Sequence, residues 1–308
     1  MPMARKSFFA LGAACALMLS VPAAISVHAQ TASIPDLSGQ WGRTYLNLEQ
    51  PPSGQGPLQN TVLRPDGTIL DQYARIADYN SPLLTKEGAA ILKAHGEFSA
   101  AGNAIPDPHN QCRPEPPPYI HAIEFGVQVL QKKDEVLLIY PYGPQIRRVR
   151  LNGQHPNPVG PSWRGDSVGH YEGDTLVVDT VGMKTGPLAV LDRYGTPFGN
   201  ALHVVERYRL IDAKTATESE AKHLRLYGDR VVPNRFDPWG SEIDLRPGRN
   251  ALRVEVTVDD STTFTRPWTG LLTYRPKTGM WAEVVCAENL QEPPGLEKNN
   301  PVDDTPDF

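Results

Sequence analysis

Short turn signals punctuate the second half of the chain: Lys133-Asp134, Tyr142-Gly143-Pro144, Asn152-Gly153, Gly173-Asp174 and Lys277-Thr278-Gly279. Between them stand runs rich in Val, Ile, Leu, Thr and Tyr, the composition of strands bounded by tight turns. The runs are 125–130, 136–140, 145–151, 168–172, 175–181, 202–211, 252–259, 263–274 and 281–287. Strands joined this closely are expected to be antiparallel, because a parallel return needs a crossover of about a dozen residues or more, usually a helix. A long meander of this kind exposes two edges, which closure into a barrel removes. The expected fold is therefore mainly β, an antiparallel meander closing into a barrel, with one short N-terminal helix and long proline-rich loops. The 30 prolines in 308 residues support this, since proline breaks helix interiors and is confined to strand edges and turns. The one helical pattern lies at 81–98, with Thr85 as its cap and Ile91 and Leu92 on its apolar stripe. The passage 105–119, IPDPHNQCRPEPPPY, reads as an extended covering segment.

At the N-terminus Arg5 and Lys6 precede an apolar run from Ser7 to Val21 and a small-residue site, Val27-His28-Ala29. This is the pattern of a cleavable secretory signal, and its apolar stretch is too short to span a membrane. Lys6 stands where a twin-arginine signal has its second arginine, so ordinary export to the periplasm or the exterior is expected. The expected organisation is a signal at 1–29, an extended region with one helix at 30–124, a barrel core at 125–290 and an acidic tail at 291–308. Residues 216–249 read as an excursion from the barrel, with a candidate hairpin at 224–232. Loss of the signal makes the net charge of −5 more negative by two, which excludes the basic surface that nucleic-acid binding requires. Two of the three cysteines, Cys112 and Cys286, remain, and in an oxidising compartment they read most simply as a disulfide. Closing so long a loop would stabilise by about 5 kcal/mol on the chain-entropy account.

Period-2 alternation in ALHVVERYRL puts Leu202, Val204, Glu206, Tyr208 and Leu210 on one face and His203, Val205, Arg207 and Arg209 on the other. Glu206 thus falls on the apolar face, where a carboxylate needs a partner, a raised pKa or a ligand. One reading makes Glu206, His203, His155 and Asp166 catalytic, with Arg148, Trp163, Tyr171, Tyr208, Asp192, Arg193 and Trp268 holding a ligand in the barrel lumen. Such a set would supply an acid–base group, a cation for an anionic substrate and aromatic walls. The interior set includes Arg147 or Arg148 on a neighbouring strand, and the competing reading is an internal salt bridge of Glu206 with Arg148 or the neighbours of Arg207, which would fix register inside the barrel and do nothing else.

Gly165-Asp166-Ser167-Val168-Gly169 matches the Gly-x-Ser-x-Gly elbow of α/β-hydrolases, but it runs into a hairpin rather than a helix, so small residues for close strand packing are the better reading. His170-Tyr171-Glu172 lacks the Pro-Cys-x-x-Cys that a zinc deaminase requires. No cofactor is expected. A divalent metal held by His170, Glu172, His155 and His203 is the weaker alternative.

Asp36-Leu37-Ser38-Gly39-Gln40-Trp41 is similar to the Gly-x-Trp opening of lipocalin-like barrels, which implies a tryptophan packed beneath the barrel floor. A second set resembles a widespread group of secreted bacterial proteins: Arg148, His155-Pro156, Trp163, Gly165-x-Ser167-x-Gly169, Tyr171-Glu172-Gly173-Asp174-Thr175-Leu176-Val177-Val178, Leu202-His203-Val204-Val205-Glu206-Arg207 and Thr265-Arg266-Pro267-Trp268-Thr269. That resemblance implies kinship over roughly residues 145 to 289 but no reaction. In that group tryptophan usually stands where Tyr171 does, which implies a different site mouth here. The function classes left open are an exported lyase, isomerase or hydrolase acting on a small, partly apolar molecule, a non-catalytic binding protein, and a structural module of the cell envelope.

Overall fold

The computed structural model describes residues 1, 34–43, 45, 47–59, 76–123, 126–141, 145–227, 242–246 and 248–279. All but the first belong to a unit spanning Ser33–Phe308. The expected signal, the strand at 281–287, Cys286, most of the candidate hairpin and the acidic tail lie outside the described residues.

Nine strands close into a barrel: β1 (Gly39–Gly42), β2 (Gly126–Gln131), β3 (Glu135–Tyr140), β4 (Gln145–Leu151), β5 (Asp166–Glu172), β6 (Thr175–Val181), β7 (His203–Ile211), β9 (Ala251–Asp259) and β10 (Trp268–Thr278). The two-residue β8 (Glu242–Ile243) adds to β10, and β1 closes the ring by pairing with both β2 and β10. The segment assigned from sequence to an N-terminal loop region thus contributes a barrel strand. Gly39-Gln40-Trp41-Gly42 is only four residues long, yet it removes both edges of the sheet.

One pairing departs from the expected meander: β4 and β5 run parallel, with Val149 opposite Ser167 and Leu151 opposite Gly169. The reason is parity. Strand directions alternate around an antiparallel ring, so a closed ring of nine must contain a parallel neighbour. Asn152-Gly153 therefore does not turn a hairpin. It opens a crossover, residues 152–165, that runs back along the outside of the barrel and carries His155, Trp163 and Arg164.

The strands alternate as their sequences direct. Val204, Glu206 and Tyr208 of β7, Val254, Val256 and Val258 of β9 and Leu176 and Val178 of β6 are wholly buried, along with Val136 and Leu138 of β3. Trp41 packs into this core and donates from Nε1 to the Leu37 carbonyl at 2.9 Å, closing the barrel floor. Gln131 clamps the entry segment beside it, accepting from Leu37 N and donating to the Pro35 carbonyl.

Among the described residues three helices are present where one was expected. Helix α1 (Lys86–Ala100) begins where the pattern placed it: the Thr85 hydroxyl accepts from Gly88 N at 3.1 Å, and the Thr85 N–H donates to the Thr263 carbonyl. Helix α2 (Tyr119–Ile123) follows the proline-rich cover and is buried along its whole length, plugging the end of the barrel where β2 starts. Helix α3 (Ala213–Tyr227) runs through Leu224, into the first part of the candidate hairpin. Arg275 of β10 holds α3 to the wall by a bidentate pair with Glu220 at 2.8 and 2.7 Å.

Candidate functional site

The candidate residues divide between the inside and the outside of one barrel wall. Inside, Glu206 is the hub. Its carboxylate takes both terminal nitrogens of Arg147, His121 Nε2 at 2.6 Å and the Tyr208 hydroxyl at 2.8 Å. Arg147 also donates to Ser167 Oγ and Thr180 Oγ1, and these two hydroxyls contact each other at 3.0 Å. Burial alone would raise the Glu206 pKa, but the Arg147 charge and the hydrogen bonds from His121 and Arg147 outweigh it and hold the carboxyl well below its ordinary value. Burial pushes His121 the other way, below the usual imidazole range, against the pull of Glu206. A neutral His121 fits the geometry, with Nε2–H donating to Glu206 and Nδ1 accepting from the Tyr274 hydroxyl at 3.2 Å.

A wholly buried anion with four donors in place is presented to neither solvent nor substrate. Glu206 and Tyr208 thus form part of an ion network that spans β4, β7 and α2 inside the barrel. Of the two arginines considered from sequence, Arg147 faces inward. Arg148 faces outward and pairs with Glu135.

Outside, the crossover brings the remaining candidates together. Arg150 grips Asp166 with both terminal nitrogens, at 2.6 and 2.9 Å. His155 Nδ1 meets Asp166 Oδ1 at 2.7 Å and its Nε2 meets Asp179 Oδ1 at 3.0 Å, while His203 Nε2 meets Asp179 Oδ2 at 2.8 Å. The hydrogen bonds from Arg150 and then from His155 hold Asp166 below its ordinary pKa. His155 faces carboxylate oxygens on both sides, so both contacts are hydrogen bonds only while both ring nitrogens carry protons. His203 remains 42 % exposed, and this chain of Arg150, Asp166, His155, Asp179 and His203 is open to solvent.

Alongside it lies an open cleft of about 450 Å³ at the parallel seam, lined by Arg147, Arg148, Arg150, Arg164, Trp163, Asp166 and Ser167 among others. Asp166 belongs to both features. Three of the four arginines are paired with carboxylates. The fourth, Arg164, donates from Nη1 to the Ile146 carbonyl at 3.1 Å, and its Nε is buried without a partner among the described residues. Lys184 stands 5.1 Å over the Trp163 ring.

The other candidates sit elsewhere. Tyr171 belongs to the closed end, its hydroxyl accepting from Gln131 at 2.7 Å. Asp192 organises its own loop, accepting from Tyr194 N, Thr196 N and the Thr196 hydroxyl. Arg193 and Trp268 line with it a void of about 20 Å³, the room of a single water. His170 pairs with Glu172 on the surface, and His155 and His203 converge on Asp179 instead of joining them. Among the described residues no cluster has the arrangement of a metal site.

Sequence reading missed four members: Asp179, His121, and the arginines Arg150 and Arg164, which no spacing singled out from their neighbours. Asp179 lies outward on β6 between Val178 and Thr180, and its alternation against Val178 was the available signal. His121 sits in an apolar pentad, YIHAI, with no pattern to place it opposite Glu206.

Gly165-x-Ser-x-Gly169 proves to be a packing device. Gly165 has φ 67°, and a Cβ there would lie 2.6 Å from the Val181 carbonyl oxygen. A Cβ at Gly169 would lie 2.8 Å from Val149 Cγ1. Ser167 is buried and bonded to Arg147, as far from an exposed nucleophile as the strand allows.

No protein-family model, curated protein or solved structure matches this chain.

Proposed function

We propose that this is an exported small-molecule-handling barrel that takes an anionic, partly aromatic ligand in the seam cleft of its outer wall, with His155, Asp179 and His203 as the acid–base chain. The observation that carries the reading is Arg164: a cleft arginine with a buried, unpartnered donor, next to Trp163 and to the Asp166 that anchors His155. A guanidinium and an indole together recognise a carboxylate or enolate on a ring. The solvent-open His203, oriented by Asp179, is the group able to take or return a proton, which is the chemistry of a lyase, isomerase or hydrolase. The engagement of Glu206 by Arg147, His121 and Tyr208 inside the barrel favours the wall over Glu206 as the reacting site. Export rests on the Arg5-Lys6 pair and the apolar run after it. No helix among the described residues is long and apolar enough to cross a membrane.

The test is titration calorimetry of the mature protein with benzoate-type and cinnamate-type carboxylates and their neutral amides. Preference for the acids, reduced at least tenfold by Arg164→Met and by Trp163→Ala in folded protein, supports the reading. Equal binding of acids and amides, or variants that bind as the parent does, overturns it. Binding without turnover, at any pH, assigns the cleft to a carrier.

A further inference from the structure

Arg43 follows β1 and lies 1 % exposed. Its Nε, Nη1 and Nη2 are all buried without a hydrogen-bond partner among the described residues. Its Cζ stands 5.5 Å from the Tyr274 ring centroid and 5.9 Å from that of Tyr45. Aromatic faces attract a cation, but they leave the in-plane N–H donors of a guanidinium unanswered. Arginine cannot shed its charge, and an unpaired buried charge is strongly disfavoured.

The neighbouring carboxylates are already committed. Glu206 is filled by Arg147, His121 and Tyr208. Glu49 accepts from Tyr45 and Ser219 and has Arg253 as its countercharge. The charge of Arg43 is felt at His121, which places it beside the Glu206 network. That network and Arg43 together hold two arginines against one carboxylate, with a neutral imidazole between them. Donors and positive charge are in surplus.

We infer that a small monoanion, a halide ion or the carboxylate of an organic acid, binds Arg43 in the barrel interior and completes its charge balance. The site is distinct from the seam cleft, and its ligand is held for stability.

The experiment is a melting series on the mature protein, exchanged into sulfate buffer and titrated with bromide or acetate at fixed ionic strength. The expected result is a saturable rise of several degrees, as mass action gives at about a hundred times the dissociation constant. Arg43→Met is expected to lose that rise and to melt no lower than the parent in sulfate. Equal responses in parent and variant would reveal general salt action and overturn the site. Should Arg43→Met fail to fold, bromide-soaked parent crystals decide by anomalous diffraction, with native mass spectrometry of unexchanged protein alongside. A bromide peak at the guanidinium supports a halide site, and a bound organic acid supports a carboxylate. Neither peak nor bound acid overturns the proposal.

Discussion

His121 and Glu206 meet at 2.6 Å across 85 residues of sequence, one from a five-residue helix and the other from the middle of a nine-residue strand. This contact fixes the plug α2 to the far wall of the barrel, and its chemistry makes the fold sensitive to acid. His121 is held below its ordinary value of 6.5, so the folded protein resists a proton that the unfolded chain accepts, and stability falls as pH drops below about 6.5. Glu206 is held below its ordinary 4.5, so its contribution is present above that value and is lost as pH falls further. Two successive losses are expected in urea unfolding followed from pH 8 to pH 3. His121→Gln keeps a donor toward Glu206 without an imidazole to titrate, and is expected to flatten the first.

Removal of one member of the buried pair leaves the other uncompensated. Arg147→Met is expected to cost about 3–5 kcal/mol, and Glu206→Met a similar amount. The double variant should cost clearly less than the two singles together, because neither charge is then stranded. Additive losses in equilibrium denaturation would mean that the pair does not act as a unit.

At Gly165 the backbone is left-handed and the space beside it is taken by Val181 O, whereas at Gly173 the backbone is equally left-handed with nothing within 4 Å. Gly173→Asn should therefore be tolerated, since asparagine adopts this conformation most readily after glycine. Gly165→Asn should destabilise by on the order of 1–3 kcal/mol or more, and it should open the β5–β6 pairing to hydrogen exchange.

His203→Asn retains a polar group near Asp179 but cannot exchange a proton. If the outer chain does acid–base work, this variant should lose turnover by about 10²–10⁴-fold while ligand affinity stays within a few-fold. Loss of affinity alone would make His203 a binding group.

Cys112 sits in the extended cover at φ 51°, and its expected partner Cys286 lies outside the described residues. A non-reducing peptide map of exported protein should return a single linked pair, Cys112 with Cys286. Two alkylatable thiols would remove the proposed staple.

The barrel was legible because turn chemistry and period-2 alternation act locally: Gly173-Asp174 turns β5 into β6, and VVERY keeps its face wherever the strand is placed. The parallel seam was not, because Asn152-Gly153 is a good hairpin signal and parity belongs to the whole ring. The split of the site has the same origin. Alternation puts Glu206 and His203 on opposite faces of β7 from sequence alone, yet only the wall's closure shows that one side is buried and the other open. In QIRRVRL both faces carry arginine, so the choice of Arg147 as the inward one rests on register against β3 and β5. Helix α3 is polar along most of its length and shows little of the apolar stripe by which a buried helix is recognised.

Trp41 of the first strand pairs with Pro276 of the last. A growing chain therefore carries β1 with one flank unmatched, and the floor tryptophan stays wet, until β10 emerges. Closure is the most sequence-distant pairing in the ring, so assembly cannot finish before residue 276 has emerged, and folding should be slow for a domain of this size. Anything that delays or shortens the stretch around 276 leaves an open, sticky sheet in place of a smaller barrel.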